Sequence, residues 1–153
     1  MGPMTTTPAT LDALQEDFAL LDNWEDRYRY LIDLGRGLRP MPDALKTAYS
    51  KVEGCMSQVW VTAHTRTDDG GRVTMDYLAD SDAIIVRGLI AVLLAAYSGL
   101  TPAEAAATDV GPIFDRLGLG EHLSLNRRNG FVAMIGRLRD EARRLSGPQN
   151  SGT

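Results

Sequence analysis

The sequence predicts an α+β fold in which a small antiparallel β-sheet is covered by helices. Two stretches that alternate apolar and polar residues flank the turn signal DDGG at 68–71, which is typical of a β-hairpin. Amphipathic helical patterns precede this hairpin. After it, residues 81–99 are apolar nearly all round, a pattern typical of a helix that is buried in a core. Together these observations indicate one domain.

Two helices are predicted before the hairpin. The first follows Thr10, and its apolar residues form one helical stripe: Leu11, Leu14, Phe18 and Leu21. Asn23 can cap the second helix, and Gly35 is predicted to end it. The apolar face of the second helix comprises Trp24, Tyr28, Leu31 and Ile32. Residues 36–45 contain two prolines and predict an irregular connection.

The hairpin strands are predicted around 58–64 and 72–80, and the pattern leaves a third strand open. The residues that share one face are Val59, Val61 and Ala63 in the first strand and Val73, Met75 and Tyr77 in the second. The buried helix that follows can begin at a cap formed by Ser81 or Asp82, and it can end at Gly99.

Three further helices are predicted towards the C-terminal end. Thr101 and Glu104 have the spacing of a capping box, with Pro102 at the first helical position. A short helix is expected at 112–117, before Gly118. The last helix is predicted to start near Ser124 or Asn126, and one stripe along it carries Phe131, Ile135, Leu138, Ala142 and Leu145.

Length and charge narrow the class of protein. The 153 residues suffice for one domain, expected at 10–146, with disordered segments at 1–9 and 147–153, and Met1–Pro3 could be an expression scar. A net charge of −4 argues against nucleic-acid binding. The arginines of the last helix are expected in ion pairs with i,i+4 spacing, such as Arg137–Glu141 and Asp140–Arg144. No signal peptide or membrane span is predicted, so we expect a cytoplasmic protein.

Cys55 is the only cysteine, which excludes an internal disulfide, a CxxC redox pair and an all-cysteine metal site within one chain. Free cysteines are most often buried structural residues. Here, however, Gly54 precedes the cysteine and the small or polar residues Ser57 and Gln58 follow it, which indicates a loop tip before a strand. A binding module with a structural cysteine and a protein with a reactive thiol therefore both stay open.

A reactive thiol would serve one of two chemistries. A small cysteine-dependent hydrolase needs a histidine base, and the chain offers only His64 and His122. His64 would lie far along the strand, and His122 precedes the last helix. An Fe–S scaffold needs several ligands, which one cysteine does not supply. Acceptance and transfer of a chemical group remains as the second chemistry for a lone thiol.

The stretch VEGCMSQVW at 52–60 closely resembles the cysteine-loop motif of the SufE/CsdE family of sulfur-acceptor proteins. Three further stretches resemble that family in the same order: NWEDRYRYLIDLGRGL, ADSDAIIVRGLIAVLLAAYSGLTPAE and LGLGEHLSLNRRNGFVAMI. Together they cover roughly residues 20 to 145, and four ordered motifs are a specific signal. Met56 departs from the glutamine that is common in the family.

The resemblance implies a sulfur carrier without independent turnover and without a cofactor or metal of its own. Cys55 would take persulfide sulfur from a PLP-dependent cysteine desulfurase of the SufS/CsdA kind, stimulate that enzyme, and pass the sulfur to a downstream Fe–S scaffold. It also implies the SufE-like α+β fold and leaves a homodimer open.

Residues near the cysteine are candidates for the loop and for partner contact: Gly54, Met56, Ser57, Asp82 and Arg127. Asp80 and Asp82 are each favoured as helix caps. Arg127 is expected either to face the cysteine loop or to be solvated. We expect Trp60 to pack in or near the core. The loop at 52–57 is expected to open when the desulfurase docks, because a sheltered sulfur must still reach its partner.

Overall fold

The computed structural model describes residues 11–119 and 123–151, with side chains described as far as Ser146. Two strands and six helices follow one another along this part of the chain, and they confirm the predicted α+β class: α1 (Leu11–Ala19), α2 (Trp24–Arg36), β1 (Val59–Thr67), β2 (Val73–Ser81), α3 (Ile84–Tyr97), α4 (Pro102–Ala107), α5 (Gly111–Arg116) and α6 (Leu125–Ser151). A 3₁₀ turn (Asp43–Leu45) lies in the irregular connection. No helix within the described residues has the length and apolar content needed to cross a bilayer.

The hairpin forms a two-stranded antiparallel sheet, with Val59 opposite Ser81 and Thr67 opposite Val73. Its inner face is buried as predicted, except that Val73 lies at the strand end and is 41% exposed. In place of a third strand, the described chain has an isolated antiparallel bridge between Lys51 and Trp60. This bridge lays the chain that enters the cysteine loop along the edge of β1.

Helices α2 and α3 cross at two glycines. Asn23 caps α2 as predicted, because its Oδ1 accepts a hydrogen bond of 2.8 Å from the Asp26 amide. The predicted end at Gly35 is wrong, since α2 continues to Arg36 and Gly37 is its C-cap. Gly35 instead packs on α3, where an added Cβ would lie 2.7 Å from the Gly88 nitrogen. Gly35 is therefore a helix contact and does not act as a terminator.

The termini of α3 and α4 test the predicted caps. The prediction that Ser81 or Asp82 caps α3 is wrong, because the N-cap position is Ala83 and no side chain caps it. Gly99 follows the helix with φ of +79°, as its predicted role at the C-terminal end requires. The Thr101–Glu104 capping box is confirmed, with both reciprocal hydrogen bonds present.

Helix α6 packs against α4, β1 and α3. Ser124 precedes it and accepts a hydrogen bond of 3.2 Å from the Arg127 amide, which selects Ser124 over Asn126 as the start. Phe131, Ile135, Leu138 and Ala142 are buried as predicted, and Leu145 is half-buried.

The boundaries of the predicted domain are only partly within the described chain. Residues 1–9 lie outside it. The backbone of α6 continues to Ser151, beyond the residue at which the tail 147–153 is predicted to begin. The short helix α5 begins at Gly111, one residue before its predicted start, and Gly118 follows it with φ of +72°. The boundaries 10–146 stay a prediction.

Candidate functional site

Cys55 lies in a five-residue loop, 53–57, between two buried valines. Val52 is 3% exposed and Val59 is fully buried, whereas Cys55 itself is half-buried. The Val52 amide donates to the Val59 carbonyl (2.8 Å), so the chain enters and leaves the loop at neighbouring points. The thiol is thereby presented on a short loop between fixed ends.

The end of the loop that leads into β1 is held by Asp82. Its Oδ1 accepts a hydrogen bond of 3.0 Å from the Gln58 amide, and its own amide donates to the Gln58 carbonyl (3.2 Å). Asp82 was predicted as a helix cap, and that prediction fails because its carboxylate is used by this loop–loop contact. The residue therefore joins the cysteine loop to the β2–α3 turn.

The loop rests on one face of α6. The Cys55 thiol donates a hydrogen bond of 3.6 Å to the Gly130 carbonyl. Gly54 has φ of +93°, a conformation that favours glycine, and a Cβ there would lie 3.3 Å from Cβ of Ala133. Glycine at 54 therefore both permits the turn and lets the loop approach the helix closely.

A cavity of about 230 Å³ opens beside the sulfur. Its lining combines apolar residues from β1, α3 and α6 with polar groups from the cysteine loop and from the start of α6: Val59, Val86, Leu89, Met134, Ser57, Ser124, Asn126 and Arg127. Cys55 and Met56 complete the wall on the loop side, although the Met56 residue is 79% exposed. The cavity is large enough for an atom or small group attached to the thiol.

The structure brings most of the predicted site residues together. Cys55, Met56, Ser57 and Arg127 line the same cavity, and Gly54 shapes the turn beside it. Arg127 is exposed and also contributes to the cavity wall, so both of its predicted placements, beside the loop and in solvent, stay predictions.

The electrostatics of the loop keep the sulfur protonated. Burial raises the pKa of the Cys55 thiol, and the Glu53 carboxylate raises that pKa further. A raised thiol pKa means less thiolate at neutral pH and a slower nucleophile. The surroundings of Cys55 in this conformation therefore favour the protonated thiol over the thiolate.

Asp80 does not cap a helix either, so this second capping prediction is wrong. Its carboxylate lies 3.1 Å from Nζ of Lys46 and 3.1 Å from Nε of Arg87. Lys46 also lies over the ring of Trp60, 5.1 Å from its centroid, and Trp60 is half-buried. This cluster attaches the connection before the loop to the sheet.

His64, the histidine within the described residues, is not brought to the thiol. His64 is exposed on β1, in a surface groove beside Tyr49, and does not line the cavity of Cys55. His122 lies outside the described residues, so its proposed pairing with Cys55 stays a prediction. Within the described part of the chain, no three His, Cys, Asp or Glu side chains converge on a metal-sized site.

Sequence reasoning missed two features of the site. Gly130 contributes its carbonyl, which accepts the hydrogen bond from the Cys55 thiol, and a Cβ there would be in ordinary van der Waals contact with Sγ at 3.5 Å. Arg137 contacts the chain just before the loop. The glycine inside a helical pattern was the one available signal for the first feature. Only the fold reveals the second.

Comparisons with known proteins agree on one family. The family model described as "SufE: Fe-S metabolism associated domain" matches residues 12–142. An uncharacterized SufE-like protein of Rhizobium etli is 48% identical over 135 residues, which are 88% of this chain and 90% of that protein. A second one, from Rhizobium meliloti, is 47% identical over 133 residues, which are 87% and 94% of the two chains.

The fold also has a solved counterpart. The solution structure of a hypothetical protein from Thermus thermophilus is similar with a TM-score of 0.67, over 91% of this chain and 97% of that one. At 23% sequence identity, this likeness supports the fold alone.

Proposed function

This chain belongs to the SufE family of Fe–S metabolism associated domains, and from that premise we propose that Cys55 carries sulfur as a persulfide. The donor is a PLP-dependent cysteine desulfurase, and the sulfur goes on to an Fe–S scaffold in the cytoplasm. The observation that carries the proposal is the lone thiol on a short loop, with its sulfur facing a cavity that can take one more atom. No metal and no PLP of its own is required.

The transfer step is an exchange at sulfur. The Cys55 thiolate attacks the outer sulfur of the desulfurase persulfide, so a new S–S bond forms on Cys55 while the old one breaks and the desulfurase thiolate leaves. Cys55 gives up its proton and the leaving thiolate takes one up, so nothing is oxidised or reduced overall. Delivery to the acceptor repeats the same exchange. The absence of a second cysteine removes an internal thiol that would release the sulfur as sulfide.

The carrier must shelter its sulfur and must also bring it to a partner, and two states of the loop serve these two requirements. In the closed loop, the sulfur contacts the Gly130 carbonyl and its raised pKa keeps it protonated. An open loop exposes the thiol, lowers that pKa and lets it reach the active site of the partner. The partner shifts this equilibrium by binding the open state more tightly than the closed one.

Turnover of a cysteine desulfurase tests the proposal. Wild-type protein should stimulate sulfide release from cysteine, and Cys55→Ser should abolish this stimulation. Thr67→Ser, a matched small change at the exposed far end of β1, should retain it. Full stimulation by Cys55→Ser would refute the carrier function. Hydrolysis of an ester or amide by the protein alone would instead support the cysteine-dependent hydrolase.

A further inference from the structure

Arg137 lies on the face of α6 that receives the cysteine loop. Gly130, Ala133 and Arg137 follow one another at i, i+3 and i+7, which places them on one side of a helix. Gly130 meets Cys55 and Ala133 faces Gly54, whereas Arg137 reaches the chain before the loop. Arg137 does not line the cavity at Cys55. Any effect of Arg137 on the thiol must therefore act through the position of the loop.

All three nitrogens of the guanidinium group have partners. Nη2 donates to the Tyr49 carbonyl (2.5 Å) and Nη1 donates to the Lys51 carbonyl (3.0 Å). Nε donates to Oε2 of Glu141 (3.1 Å), and the other oxygen of Glu141 accepts from Arg144 (2.7 Å). The Arg137 side chain is only 21% exposed, so these charge-assisted hydrogen bonds are partly shielded from water.

We infer that Arg137 is a positioning residue that sets the reach of Cys55 by fixing the chain at the entrance of its loop. This inference rests on the proposed function, because reach matters only if the thiol must travel to a partner. The two carbonyls held by Arg137 precede Val52, the residue at which the free loop begins.

The opposite side of the same chain is held by an isolated β-bridge to β1. Two backbone hydrogen bonds, each 2.8 Å, join Val52 to Val59 and Val61 to Ser50. An isolated bridge of this kind lacks the neighbouring strand pairs that make a sheet cooperative. Without Arg137, these two bonds and the buried side chain of Val52 would hold the chain between Ser50 and the loop. Ser50 is fixed independently, since its hydroxyl donates to the Leu45 carbonyl (2.6 Å).

The position of the last fixed residue before the loop sets how far Cys55 can extend from the protein. With Val52 fixed, three Cα–Cα steps lead from the anchor to Cys55, and an extended chain of that length spans about 10 Å. With the anchor moved back to Ser50, five steps span about 17 Å. Arg137 thus determines whether the chain that leads to Cys55 is free from Val52 or already from Ser50. The exit side stays anchored by Asp82 at Gln58.

Alkylation of Cys55 in the isolated protein tests this inference without a desulfurase. Arg137→Gln should raise the iodoacetamide rate about tenfold, the size expected for loss of charge-assisted hydrogen bonds at a partly exposed site. Arg144→Gln is the matched control, since it removes a neighbouring partner of Glu141 that does not touch the loop entrance. Its rate should stay within about twofold of wild type. Arg137→Lys should give an intermediate rate, since one ammonium group replaces a planar fork of donors.

The pH profile separates positioning from a general loss of structure. Because burial raises the pKa of the Cys55 thiol, the alkylation profile of Arg137→Gln should move to lower pH than that of wild type. Hydrogen exchange should rise at residues 50–58 and not in α3. If Arg137→Gln does not fold, Glu141→Gln, which frees Arg137 from its helix partner, should show the same changes at smaller size.

Two results would overturn the inference: equal alkylation rates for Arg137→Gln and Arg144→Gln, or faster exchange spread evenly over the domain. Failure of the proposed function would look different. In that case wild-type protein would gain no sulfur from the desulfurase, whatever the alkylation rates of the variants.

Discussion

Glycines allow close packing both where α2 crosses α3 and where the cysteine loop contacts α6. The two contacts differ in how much space they leave for an added side chain. At the crossing, a Cβ on Gly88 would lie 2.3 Å from the Leu31 carbonyl oxygen, so backbone meets backbone. At the loop, a Cβ on Gly54 would lie 3.3 Å from the Ala133 side chain. The first contact allows no movement without separating two helices. The second can be relieved by a movement of five residues.

The comparison contrasts a tightly packed core with the loop for which we propose opening. Fully buried side chains such as Leu31, Leu89 and Leu93 surround the helix crossing. The loop residues 53–57 are exposed or half-buried, and their contacts with α6 include one long thiol–carbonyl hydrogen bond and the close approach of Gly54. Local opening with a small free-energy cost is the expected behaviour of such a segment.

The largest effect should come from the core. Gly88→Ala should lower the free energy of unfolding by about 3 kcal/mol, because overpacking at a backbone contact outweighs the better helix propensity of alanine. Gly136→Ala is the matched control in α6, where nothing lies within 4 Å of an added Cβ, and it should raise that free energy by about 0.5–1 kcal/mol. Chemical denaturation measures both. Equal effects at the two positions would remove the rigid half of the comparison.

A second substitution introduces backbone strain in the cysteine loop. Gly54→Ala places a side chain at φ of +93°, which costs about 1–2 kcal/mol in the closed loop. Opening relieves this strain, so Cys55 alkylation should accelerate about fivefold or more, while the free energy of unfolding falls by no more than the strain itself, about 1–2 kcal/mol. Gly71→Ala has a similar angle, +85°, in the hairpin turn. That control should destabilise the fold and leave the alkylation rate unchanged, and the opposite pattern would contradict the account.

Removal of the exit anchor should have a smaller effect. Asp82→Ala deletes the carboxylate that accepts the Gln58 amide, while the reciprocal backbone hydrogen bond survives. We expect alkylation of Cys55 to rise about threefold, as for loss of one exposed hydrogen bond. Asp43→Ala, which removes a fully exposed partner of Lys46 outside the loop, is the control. A rate unchanged in both variants would show that Asp82 does not hold the loop closed.

The smallest effect concerns charge alone. Glu53 is a secondary cause, after burial, of the raised pKa of Cys55. Removing a negative charge favours the thiolate, so Glu53→Gln should move the pH profile of alkylation slightly to lower pH. In wild type the profile should lie above that of a free thiol. An upward shift in Glu53→Gln would contradict the assigned sign.

Local signals in the sequence predicted most of the scaffold. The Asn23 cap, the Thr101–Glu104 capping box and the hairpin turn each depend on residues a few positions apart, and all are present. Gly35 was misassigned because a glycine near the end of an apolar pattern has the same local signature as a terminator. Only the approach of Gly88 from another helix distinguishes the two roles.

The site was less predictable because its residues contact partners that are far away in the sequence. The loop was predicted from the small and polar residues beside the lone cysteine, whereas Arg127 entered through the family resemblance. Cys55, Met56, Ser57 and Arg127 line one cavity. Asp82 was misassigned because its partner, Gln58, lies 24 residues away. Arg137 was correctly paired with Glu141 along the helix, whereas its carbonyl partners 86 and 88 residues earlier gave no local signal. Asp140 likewise pairs with Arg143, and Arg144 with Glu141, in place of the predicted Asp140–Arg144 pair.

Mass spectrometry of the protein after incubation with a cysteine desulfurase and cysteine tests the central claim most directly. Intact wild-type protein should gain the mass of one sulfur atom, and peptide analysis should place it on Cys55. A reductant should remove it, and Cys55→Ser should gain nothing. Wild-type protein that leaves this reaction with its mass unchanged, while the desulfurase is shown to hold a persulfide, would contradict the account.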